Sequence, residues 1–386
     1  MKKIALLALI LLTACAPSAS PAPESFFAAT VQPGEPGAAP VVTESAPIVE
    51  EDAGDLYFFL QPRQAQSGLP IQLTHVSGAC VSDSAQCPPL EVIPVPFALN
   101  FTINALSWRP DGRFAAFAYS DDPNGTPSKL WLFDASARTW NWLAQFPYID
   151  PPFWSPDGTW IAFRTQDGLG GEDVYVTRPD GSELKSVSAG LSPDGRPYRM
   201  DGWFAADVLV RSVLPGHEGQ VYLLSPMTGQ VRPMFDFVMQ ASFVAAPDAH
   251  LIAFDDYDSA SQIHALNVMS PGGMNTLTLA QFGGGRLYPL VWSADSKFIA
   301  FNYYNGPAAE VYVVDSSGGT PSLVYSGVTV GRLIFSPNGK YLLVEETTSA
   351  TGGHLFLVNL ATLEKKILQA PGLSTDYDWY APSWSP

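Results

Sequence analysis

Trp154-Ser155-Pro156-Asp157-Gly158-Thr159-Trp160-Ile161-Ala162-Phe163 is the stretch that decides the fold. Phe153-Trp154 before the turn and Trp160-Ile161-Ala162-Phe163 after it are short aromatic and β-branched runs, the composition of strands. Between them Pro156 presets φ at the first central position of a type I turn, and Gly158 accepts the positive φ that closes a bulged hairpin. Moving outward, the pattern returns at Trp108 (Arg109-Pro110-Asp111-Gly112), Trp203, Ala245 (Ala246-Pro247-Asp248), Trp292 (Ser293-Ala294-Asp295), Phe335 (Ser336-Pro337-Asn338-Gly339) and Trp384 (Ser385-Pro386), at intervals of 42 to 49 residues. Each full period carries a third apolar run, such as Val174-Tyr175-Val176 or Val311-Tyr312-Val313-Val314, then a turn and a fourth run. No period shows a 3.6-residue repeat. Units of this size with several short strands are four-stranded blades, so the chain is expected to be all-β, a β-propeller.

Six units are complete, and Trp384-Ser385-Pro386 gives one strand of a seventh. The N-terminal half of the propeller region can supply the rest. Leu56-Tyr57-Phe58-Phe59-Leu60 has the pattern of a third strand but would have to serve as the second, with Ile71-Gln72-Leu73-Thr74 next and residues 90–95 outermost. Pairing both termini removes the exposed edges of an open stack. Seven blades are therefore expected rather than six, with the ring closed between N- and C-terminal strands.

Repeats of the form Trp-Ser-Pro-Asp-Gly, Ile-Ala-Phe, Val-Tyr-Val and Asp-Gly resemble the TolB-like propeller family over roughly residues 100–386. Blade three departs from the pattern, since Trp203-Phe204-Ala205-Ala206-Asp207 lacks Pro and Gly. Blade four has Ala245 in place of Trp, and Ser192-Pro193-Asp194-Gly195 falls in a connection. The resemblance implies a protein-interaction platform in the cell envelope. Related propellers often precede an α/β-hydrolase peptidase domain, and the expectation from the end of the repeats is that none follows here.

Lys2-Lys3, an apolar run over residues 4–12 and Leu12-Thr13-Ala14-Cys15 resemble a bacterial lipoprotein signal, with residues 1–14 removed and Cys15 acylated. An ordinary signal with an incidental cysteine is the alternative. Residues 16–54 hold seven prolines and no Lys or Arg, so they read as a disordered tether ahead of a propeller at 55–386. Such a protein is exported and held by its lipid on the outer membrane or the outer face of the cytoplasmic membrane. Cys80 and Cys87, in a turn-rich segment, are expected to form a disulfide, because two cysteines without a nearby His give half a zinc shell.

The 386 residues carry 20 basic and 37 acidic side chains, a net charge of −17. That balance excludes nucleic acid and anionic lipid as preferred partners and favours cationic ones. No Gly-x-Ser-x-Gly elbow, His-Glu-x-x-His, P-loop or dinucleotide fingerprint occurs. His75, His217, His250, His264 and His354 are scattered over different units. His264 reads as packed, while His217 and His354, equivalent in position before third strands, could share a metal or acid–base role.

Connections between second and third strands, and between blades, emerge on one face. They carry Asp121, Asp122, Tyr148, Asp150, Asp255, Asp256, Tyr257, Tyr303, Tyr304, Tyr377, Trp379 and Tyr380. Aromatics beside carboxylates offer flat contact area with acceptors, suited to sugars, peptides or cationic groups. The expectation is a monomeric binding or scaffold propeller for a protein, peptide or glycan, not an enzyme, with no metal or cofactor. The alternative is a propeller hydrolase or lyase acting on glycans or peptides.

Overall fold

The computed structural model describes residues 54–62, 72–82, 91–96, 105–120, 127–166, 172–189, 191, 198–212, 218–238, 243–273, 275–346, 354–368 and 377–386. They form seven antiparallel sheets arranged as propeller blades, with one short helix, Gly78–Ser82. Blade one runs Ser107–Trp108, Phe114–Ser120, Ser128–Asp134, Thr139–Phe146, from the innermost strand outward. In blade two the innermost strand is split into Tyr148–Ile149 and Phe153–Trp154, both paired with Ile161–Gln166. Pro151-Pro152 breaks the ladder there, since proline has no N–H to donate, while the Asp150 amide still donates to the Arg164 carbonyl at 2.9 Å. The remaining innermost strands are Tyr198–Phe204, Phe243–Ala245, Arg286–Trp292 and Val330–Phe335 in blades three to six.

Blade seven is the composite the repeat count requires. Tyr377–Trp384 is innermost, then Leu56–Pro62, Gln72–Val76 and Glu91–Pro94. Leu56–Pro62 does serve as a second strand despite its sequence pattern. Its alternation explains how: Tyr57 and Phe59 pack with Phe117 and Phe133 of blade one, while Leu56 and Phe58 pack with Leu343 and Leu357 of blade six. A strand buried on both faces needs no polar alternation, and each face seals one neighbour.

The recurring tryptophan is an inter-blade bolt. Trp154 Nε1 donates to the Ser107 carbonyl at 2.7 Å, Trp203 Nε1 to Phe153 at 3.0 Å and Trp292 Nε1 to Val244 at 2.9 Å, each on the innermost strand of the preceding blade. Trp108 Nε1 reaches Ser383 Oγ at 3.1 Å and so bolts blade one to the composite blade. The following serine closes the turn. Ser155 Oγ donates to Asp157 at 2.6 Å and accepts from the Trp160 amide at 2.9 Å. Ser293 and Ser336 repeat this with Asp295 and Asn338, accepting from Phe298 and Tyr341. The left-handed position falls on Gly158 and Gly339, but on Ala205, Ala249 and Ser296 where the repeat is worn.

Candidate functional site

Among the described residues, those expected at the rim fall into different environments. Asp121, Asp122 and His217 lie outside the described residues, as do Cys15 and Cys87. Tyr377, Trp379 and Tyr380 occupy backbone positions on the innermost strand of blade seven, facing Pro62, Leu60 and Phe59 in register, rather than in a loop. Tyr303 is 7% exposed and its hydroxyl donates to the Gly283 carbonyl at 2.8 Å. Tyr304 donates to the Val330 carbonyl and accepts from the Val330 amide at 3.2 Å. These two tyrosines join blades, so the reading of them as ligand contacts is corrected: the Tyr303 ring is buried and Tyr304 is half-buried, and both hydroxyls are used on backbone partners. Asp150 is held by Arg164, which also binds Glu172. Tyr148 remains exposed beside it.

Asp255, Tyr257 and His264 do converge. His264 Nδ1 lies 3.0 and 3.1 Å from the two Asp255 oxygens, and Tyr257 stacks on the imidazole with centroids 4.5 Å apart. Asp256 lies on the same strand, in register with Ala265. Burial raises the Asp255 carboxyl against the lowering effect of His264. His264 is buried, as its pattern suggests, but as part of an aspartate–histidine pair rather than in apolar packing. His354 is exposed, and no group of three or more metal-ligating side chains occurs among the described residues.

A second constellation lines the central channel, built by a repeated irregularity. In blade three Met200 faces Val210 and Gly202 faces Leu209, leaving Asp201 as an extra residue. In blade five Leu287 and Leu290 face Tyr303 and Phe301, so Tyr288 and Pro289 share the place opposite Asn302. In blade six Gly331 and Arg332 share the place opposite Glu345, and in blade seven Ala381 and Pro382 share that opposite Phe58. A bulge of this kind bends the strand and re-aims a side chain, and bulges concentrate beside active sites. Here Asp201, Tyr288, Pro289, Gly331, Arg332 and Pro382 all line the channel.

The channel divides into two lobes. One of about 520 Å³ contains Leu106, Trp108 and Arg332; the other, of about 690 Å³, contains Arg199, Asp201, Arg211 and Trp292. Tyr288, Pro289, Val291, Leu333, Ile334 and Trp384 line both. The walls are thus apolar and aromatic with a few convergent charges, the usual make-up of a ligand site.

Its electrostatics are unusual for this chain. Asp201 Oδ2 sits 3.0 Å from Arg211 Nε, with side chains only 10% and 11% exposed. Burial pushes the Asp201 carboxyl up to about 7, against the opposing charges of Arg211 and Arg199. Burial likewise raises Glu345, opposed by the charge and backbone amide of Arg332. Arg332 Nη1 and both amide atoms of the fully buried Asn302 are enclosed without a hydrogen-bond partner. Perturbed carboxylates and unsatisfied polar groups gathered in a concave site make this channel the candidate site.

Reasoning from the repeat passes over this channel. The signal was present as polar or charged residues two to four positions before the repeat aromatic: Asp201 before Trp203, Tyr288 before Trp292, Arg332 before Phe335.

No protein-family model matches the chain. Uncharacterized peptidase YuxL of Bacillus subtilis (strain 168) is 28% identical over 170 residues, covering 42% of this chain and 23% of that protein. The match thus spans under a quarter of the relative's length. TolB from Acinetobacter baumannii shares the fold with a TM-score of 0.54 at 18% identity, over 86% of this chain and 67% of that one. A prolyl endopeptidase shares it with a TM-score of 0.60 at 13% identity, over 84% of this chain and 51% of that one. These structures bear out the seven-bladed, TolB-like fold. The expectation that the chain is not an enzyme is overturned: it rested on missing catalytic motifs, and the relative that the chain matches is named a peptidase.

Proposed function

We propose that this chain is a propeller enzyme of the peptidase class that takes peptide substrate into its central channel. The observation that carries the reading is the similarity to a protein named a peptidase. The channel agrees with it, because two lobes flanking one apolar wall suit an extended peptide whose side chains alternate in direction. Two groups are suited to proton transfer. Asp201, poised near neutrality in the channel, is one. The other is the Asp255–His264 pair, in which the carboxylate orients the ring and leaves Nε2 as the working nitrogen.

Lipidation at Cys15 and a tether over residues 16–54 would hold this activity at the cell envelope, and a Cys80–Cys87 disulfide would suit that compartment. Incubating the full chain with a library of unstructured peptides and reading products by mass spectrometry tests the proposal. A discrete set of cleaved peptides is expected. Peptides left intact while oligosaccharides are turned over would overturn it in favour of a glycan-acting propeller.

A further inference from the structure

Most arginines of this chain are spoken for. Of the ten among the described residues, Arg109, Arg113, Arg138, Arg164, Arg178, Arg211 and Arg232 each hold a carboxylate within salt-bridge distance. The other three, Arg199, Arg286 and Arg332, form no salt bridge, and all three sit on innermost strands, in blades three, five and six. This happens in a chain with 37 acidic against 20 basic side chains, where an arginine is rarely far from a carboxylate. Arg199 and Arg332 line the two channel lobes, one each.

Neither nearby carboxylate forms a salt bridge with them, although the charge of Arg199 acts on Asp201 and that of Arg332 on Glu345. Asp201 is paired with Arg211, and Glu345, raised by burial, faces the backbone side of the Arg332 bulge, where a Cβ on Gly331 would come 3.2 Å from its Oε2. Arg332 is half-buried with its enclosed Nη1 lacking a hydrogen-bond partner, and Arg199 is exposed, so both keep donors for a ligand, and the planar fork of a guanidinium matches a carboxylate. A channel locally positive within an acidic protein also selects against the protein's own surface and for an anionic guest.

We infer that the channel is a receptor for peptide carboxylates, with Arg332 and Arg199 each anchoring one and the Tyr288–Trp384 wall taking the adjacent apolar side chain. The inference rests on the peptide-substrate reading above and names the class of peptide. The carboxylate can come from a peptide's C terminus or from an Asp or Glu side chain, and the two sources share this chemistry.

Fluorescence anisotropy with the full chain and three labelled peptides of one apolar sequence separates them: one amidated and neutral, one with a free C-terminal carboxylate, and one amidated with a central Glu. At least one carboxylate peptide is expected to bind about tenfold tighter than the neutral one, since a charge-assisted bond of that strength is worth about one decade. The free-terminus peptide winning assigns the C terminus, and the Glu peptide winning assigns the side chain. Because each arginine anchors its own carboxylate, at least one of Arg332→Gln and Arg199→Gln is expected to remove most of that preference while the variant still unfolds cooperatively, since neither residue holds a salt bridge. Equal binding of all three peptides, unaltered in both variants, would overturn the carboxylate inference and leave the peptide reading standing. Binding of none would remove both.

Discussion

Asp157 and Asp201 belong to consecutive blades and sit in opposite kinds of place. Asp157 is in the hairpin turn; burial alone would raise its carboxyl, but hydrogen bonds from Ser155 and Thr159 outweigh burial and hold it low. Asp201 is in the channel bulge, where burial wins and the carboxyl rises to about 7 despite an arginine at 3.0 Å. The same contrast runs through the molecule. At the turns of Ser155, Ser293 and Ser336 the serine oxygen accepts from the strand-opening amide, whereas at the bulges Asn302 and Arg332 keep enclosed polar atoms without a partner. Turns are where the repeat is satisfied with itself, and bulges are where it has been bent toward something else.

The largest effect should come from breaking the closure. Deleting residues 377–386 removes the innermost strand of blade seven, the Trp108 to Ser383 bolt and the Trp384 bond to the Gly54 carbonyl. It uncovers Leu56 and Phe58, both fully buried. The loss should approach the whole stability of an ordinary domain, about 5–15 kcal/mol, so cooperative thermal unfolding should vanish from the calorimetric trace.

Next comes the acid of the channel. Asp201 keeps its proton up to about pH 7 when folded and only to 3.8 when unfolded. The folded state therefore binds the extra proton between those values, and stability falls as pH rises across that window, by a few kcal/mol at most. Asp201→Asn should flatten this slope. Denaturant midpoints measured from pH 4 to pH 8 in both proteins check it, and parallel curves would refute the assignment.

A turn serine should matter less. Ser336→Ala leaves the buried Tyr341 amide without its 2.9 Å side-chain acceptor and should cost about 1–3 kcal/mol in urea unfolding. The smallest effect has the opposite sign. Ala249 holds φ at 57° where other turns place glycine, and Ala249→Gly should raise stability by about 0.5–1 kcal/mol, because relief of left-handed strain exceeds the added entropy of the unfolded chain.

Legibility in the sequence followed the same division. The turn pattern and the third-strand runs determine blade count, closure and even the unexpected use of Leu56–Pro62 as a second strand, because those features recur and are governed by local turn chemistry and strand alternation. The channel does not recur. One extra residue in an innermost strand changes neither composition nor period, so Asp201, Tyr288 and Arg332 look like ordinary strand residues until the register is known. The rim aromatics erred in the other direction. Tyr303 and Tyr304 fall near a loop in sequence, yet their hydroxyls find backbone partners at Gly283 and Val330, Val330 being in the next blade, which no linear pattern reveals.

Peptide should enter the channel between the bulges and not the rim loops. Cross-linking the full chain to a bound peptide carrying a photoreactive group, followed by mass spectrometry of the adducts, tests it most directly. Adducts are expected on the bulged strands Arg286–Trp292, Val330–Phe335 and Tyr377–Trp384. Adducts confined to the rim at Tyr148 and Tyr257, with the channel strands unmarked, would contradict it.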